Sequence, residues 1–76
     1  MNVTQENIFT IIENVGVSAD TSKIKTDVTF KQAGIDSLEM MNVFLGIEEK
    51  FGIQIPDEDI AGLNTIENIV SYLQKI

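Results

Sequence analysis

The chain has 76 residues, twelve of them acidic and five basic, for a net charge of −7; such a surface repels nucleic acid and anionic membranes and favours partners with basic patches. With neither cysteine nor histidine, it lacks a thiolate, a disulfide, the two commonest metal ligands and the commonest general base, which argues against catalysis by this chain alone. A domain this small hides only about 60% of its unfolded surface, but 43% hydrophobic residues are enough to fold it as a single unit over residues 1–76.

The first element begins at Thr4, a natural N-cap, and carries Ile8, Ile11, Ile12 and Val15 at helical spacing up to the stop at Gly16. From Val17 to Ile35 the period disappears, leaving Ile24, Val28 and Phe30 as apolar anchors in a loop long enough to carry function. A second helix is predicted from Ser37 to Phe51, ended by Gly52. Pro56 and the acids after it start a short third helix, and Thr65 caps a fourth with Ile66, Ile69, Val70, Leu73 and Ile76 as its buried stripe. The expectation is an all-α four-helix bundle with three longer helices, one short helix and a long loop between the first two.

The second helix has more apolar residues than one buried face uses. At about 100° per residue, Met40, Val43, Phe44, Ile47 and Phe51 share one side, whereas Leu38, Met41 and Leu45 form a second stripe beside Glu48 and Glu49. Such a strip among acids reads as a partner-binding surface, with packing of Leu38 and Leu45 beneath the loop or third helix as the structural alternative. Asp36 and Glu39 stand at capping-box spacing, which leaves the Ser37 hydroxyl outside the cap, beside free N–H groups that favour a phosphate. Gly34 gives the backbone room to turn into the helix. The sequence offers Ser37 no base, so a nucleophilic enzyme is disfavoured.

The stretch "GIDSLEM", with Phe30 seven residues before the serine, "IEEKFG" at the end of the second helix and "IQIPDEDI" after it, resembles the acyl and peptidyl carrier proteins over the whole chain. The resemblance implies that Ser37 carries 4′-phosphopantetheine, transferred from coenzyme A by a separate magnesium-dependent phosphopantetheinyl transferase, and that acyl groups ride on its thiol as thioesters. It further implies that Asp36, Glu39, Glu48 and Glu49, with Leu38, Met41 and Leu45, meet basic and apolar surfaces on acyl-transferring and chain-modifying enzymes. Phe44, Ile47, Ile55 and Leu63 would line an acyl pocket, although all four would also serve as core.

A monomeric cytoplasmic carrier without membrane insertion is expected. Lys31, Gln32 and Ala33 stand where fatty acid carriers often have two acids and a leucine, and Asn42 and Lys50 replace further acids. Fatty acid synthesis and a specialised pathway (polyketide, aminoacyl or modified-lipid) therefore both stay open. The competing reading is a non-covalent acidic adaptor that binds through Leu38, Met41 and Leu45. The acids of "PDEDIAG" lack the spacing of a calcium loop, and no specific metal site is expected.

Overall fold

The computed structural model describes residues 1–76. Four α-helices follow in order: α1 (Gln5–Val15), α2 (Ser37–Phe51), α3 (Asp57–Ile60) and α4 (Ile66–Gln74), with a 3-10 turn at Thr21–Lys23. There is no strand, and the all-α bundle of three longer helices and one short one is the architecture that the sequence predicts.

Local chemistry fixes the helix ends. The Thr4 hydroxyl accepts the Asn7 N–H at 3.2 Å while Asn7 Oδ1 accepts the Thr4 N–H at 3.0 Å, a reciprocal cap that starts α1. Thr65 accepts the Asn68 N–H at 3.0 Å and starts α4. Gly16 and Gly52 end α1 and α2 in the left-handed conformation, with φ of 80° and 66°, which only glycine adopts freely.

The helices share one core made solely of apolar side chains: Ile8, Ile11 and Ile12 from α1, Val43, Phe44 and Ile47 from α2, and Ile66, Ile69, Val70 and Leu73 from α4. Burial of each large aliphatic side chain contributes about 1.5–3 kcal/mol, so these faces hold the bundle. Helix α1 packs against both α2 and α4. Its approach to α2 is close at Gly46, where a Cβ would lie 2.9 Å from Cγ2 of Ile11. Ile76, expected in the stripe of α4, is instead 56% exposed; α4 ends at Gln74, and beyond it the helical period no longer aims a side chain at the core.

The loop between α1 and α2 is more ordered than its lost period implies. Ile24 and Phe30 are buried, Val28 is half-buried, and Ala33 and Ile35 join the core as well. Thr29 and Gln32 exchange backbone-to-side-chain hydrogen bonds, both at 3.1 Å. The Ile35 N–H then reaches the Phe30 carbonyl at 2.9 Å and the Gly34 N–H reaches the Lys31 carbonyl at 3.1 Å. Residues 30–33 thus form one helical turn, boxed at its start and closed by a Schellman motif at Gly34, whose φ is +88°. Gly34 ends this turn as well as admitting the chain to α2. Two backbone bonds tie the loop to the other side of the bundle, from Phe30 N–H to the Asn64 carbonyl at 2.9 Å and from Glu67 N–H to the Thr26 carbonyl at 3.0 Å.

Candidate functional site

Ser37 is the first residue of α2 and is exposed. Asp36 caps the helix: its Oδ1 accepts the Glu39 N–H at 2.8 Å, and Glu39 Oε1 accepts the Asp36 N–H at 3.4 Å. The predicted capping box is therefore present, and the Ser37 hydroxyl makes no hydrogen bond with the chain. Nor do the N–H groups of Ser37 and Leu38, so the serine stands at the positive end of the α2 dipole with unpaired donors beside it.

Glu39 does more than close the cap. Its Oε2 accepts the Ser18 N–H at 2.6 Å, and this bond, helped by that from Asp36, holds its carboxyl below the usual carboxylate range against the opposing effect of desolvation. Glu48 is likewise half-buried, with Oε2 accepting the Ile55 N–H at 2.7 Å. The sequence groups both acids with the docking surface; in the fold their carboxylates are tied to backbone amides and brace the two ends of α2. Asp36 and Glu49 remain exposed.

Leu38, Met41 and Leu45 are 69%, 63% and 54% exposed. The alternative in which Leu38 and Leu45 pack under the loop or α3 does not hold. Beside this strip an open groove of about 1110 Å³ runs between α2, the 29–36 segment and α3. Ser37 stands in its lining, and Met41 and Leu45 belong to both strip and groove.

Of the four residues expected to line an acyl pocket, Phe44, Ile55 and Leu63 line this groove. Ile47 does not: it is 0% exposed and belongs to the core, because its position on the helical wheel points it at the other helices. Phe30, Ile35, Met40, Ile60 and Ala61 complete the apolar lining. Met40 belongs to the core stripe that the sequence predicts, whereas Ile60 and Ala61, at the end of a four-residue helix, carry no periodic signal. The acids of α3 form no arrangement that could hold a metal ion, nor does any other group of three or more carboxylates. No helix is long and apolar enough to cross a membrane.

An exposed, unbonded hydroxyl beside unpaired N–H groups, opening on an apolar groove, fits a phosphate-linked arm with an acyl load. Comparisons with known proteins agree. The model of the family described as "Phosphopantetheine attachment site" matches residues 9–73. The chain is 42% identical to the meromycolate extension acyl carrier protein of Mycobacterium leprae, with 100% of this chain and 70% of that protein aligned. It is 40% identical to the acyl carrier protein of Rhodococcus erythropolis, with 96% and 85% aligned. A crystal structure of an engineered Bradyrhizobium japonicum glycine:[carrier protein] ligase with a carrier protein from Agrobacterium tumefaciens and AMP contains a chain that superposes with a TM-score of 0.79. That match covers 93% of this chain and 99% of the other at 24% identity, and shows the shared fold. The chain therefore belongs to the acyl carrier proteins, which work through a covalent 4′-phosphopantetheine arm and are carriers rather than enzymes.

Proposed function

We propose that Ser37 is the attachment residue and that the chain presents acyl intermediates to successive enzymes of fatty acid or modified-lipid synthesis. The observation that carries this reading is the Ser37 hydroxyl, exposed and unbonded at the edge of an apolar groove. When bound, the arm supplies a terminal thiol that holds the acyl group as a thioester. The chain's own part is positional. Asp36 and Glu39 fix the first turn of α2 so that the hydroxyl projects outward, and Phe44, Met40, Ile55, Ile60 and Leu63 offer the acyl chain an apolar surface away from water.

Leu38, Met41 and Leu45, flanked by Asp36 and Glu49, are the surface we assign to docking, with a phosphopantetheinyl transferase and acyl-transferring enzymes as partners. Apolar side chains supply the grip and exposed acids the steering, a combination suited to brief, salt-sensitive encounters. The relatives named for meromycolate extension favour a lipid pathway over polyketide or aminoacyl chemistry.

Intact mass spectrometry after incubation with coenzyme A, magnesium and a broad-specificity transferase tests the assignment. The wild type is expected to gain one phosphopantetheine and Ser37→Ala none. A folded wild type that stays unmodified with several transferases, or a Ser37→Ala variant that is modified, overturns it.

A further inference from the structure

The charged residues that line the groove are Lys31, Asp36, Glu48 and Asp57. Lys31 is thus its one cation, in a chain of net charge −7, and it lies in the same lining as Ser37. Asp36 and Glu48 each accept an amide hydrogen bond from their own chain, whereas the Lys31 ammonium has no hydrogen-bond partner in the fold. Its backbone is set: Lys31 belongs to the helical turn boxed by Thr29 and Gln32, and its carbonyl accepts the N–H of Gly34 in the closing Schellman pair. Only side-chain freedom remains to be lost when it takes a partner.

An arm on Ser37 introduces a phosphodiester next to Asp36, and a cation would add to the offset that the free N–H groups of α2 already give this like-charge approach. On the reading that Ser37 carries the arm, we propose that Lys31 is a positioning residue, pairing with an anion borne by the arm and so holding the arm at the mouth of the groove. The phosphodiester satisfies this chemistry in every loaded state; a carboxylate on the acyl group would satisfy it for carboxylated cargo alone.

The test follows the Lys31 ε-CH2 resonance, assigned with Lys31→Gln, and the phosphorus resonance of the arm by NMR, on protein whose modification has been established by intact mass. The Lys31 signal is expected to shift when the arm is attached and to return toward its starting position as salt is raised, since exposed pairs are screened. Lys31→Gln should move the phosphorus resonance and Lys31→Arg should restore it. A response only on loading with succinyl, and not with butyryl, supports the pairing with the cargo carboxylate as the anion. Modified protein in which neither the arm, succinyl nor salt moves the Lys31 signal overturns the role of Lys31 and leaves Ser37 as the attachment point. Protein that gains no mass removes the Ser37 reading, and the proposal for Lys31 with it.

Discussion

The carboxylate of Glu39 accepts the backbone N–H of Ser18 at 2.6 Å across 21 residues of sequence, joining the start of the long loop to the helical turn that presents Ser37. The same side chain closes the cap on Asp36, so one carboxylate holds both the loop and the mouth of α2.

Stability should depend on pH through this group. The folded structure depresses the Glu39 carboxyl below its unfolded value, chiefly through the Ser18 amide, so its contribution is fully present above the unfolded value of about 4.3 and is lost as pH falls through the lower folded value. Thermal melts of wild type and Glu39→Gln should differ at neutral pH and converge in acid. A gap that stays constant across the range would contradict the assigned role.

Gly46 sets how closely α1 and α2 approach. A Cβ there would meet Cγ2 of Ile11 at 2.9 Å and Cγ2 of Val15 at 3.6 Å, and neither β-branched side chain has an easy escape. Gly46→Val should destabilise the fold by about 1–3 kcal/mol, read from urea denaturation. Changing Ile11 to Leu, which removes the obstructing branch from its Cβ, should reduce the loss caused by Gly46→Val.

Met41 is 63% exposed, so Met41→Glu should leave the melting temperature nearly unchanged. If the strip docks enzymes, the same change should raise the KM of an acyl-transferring partner by about tenfold or more, the loss expected for a central interface residue. An unchanged KM would move the docking surface elsewhere.

Tyr72 donates its hydroxyl to Asp59 Oδ2 at 2.6 Å, tying α4 to α3. This bond, with some desolvation, pushes the phenol above its ordinary value. The stabilisation it gives is therefore present below the unfolded value and lost as pH rises through the folded one. Tyr72→Phe should speed amide exchange at Leu63, whose N–H bonds to the Ile60 carbonyl, and leave exchange in the core of α1 unaffected. Equal protection of Leu63 in both proteins would mean that the apolar contacts of α3 suffice.

The helices α1, α2 and α4 were legible because Thr4, Asp36 and Thr65 cap them and apolar residues recur with the helical period. The turn at residues 30–33 had a signal too, in the Thr29 to Gln32 spacing followed by Gly34, but a single turn has no period to reveal it. The bonds that Glu39 and Glu48 accept from Ser18 and Ile55 gave no signal, because these are backbone amides brought near by folding, and a helical wheel registers only neighbours on the same helix. The same wheel put Phe44 and Ile47 on one side without distinguishing the groove from the core. Gly46 gave no warning, since its meaning lies in the Ile11 side chain opposite.

Met41 and Leu45 stand both in the strip and in the groove wall. With the docking surface proposed above, storage and delivery compete for the same two side chains. If the acyl chain shelters in the groove as proposed, an enzyme that draws them onto its own surface would remove part of that shelter, and capture of the carrier and surrender of its load would become one event rather than two.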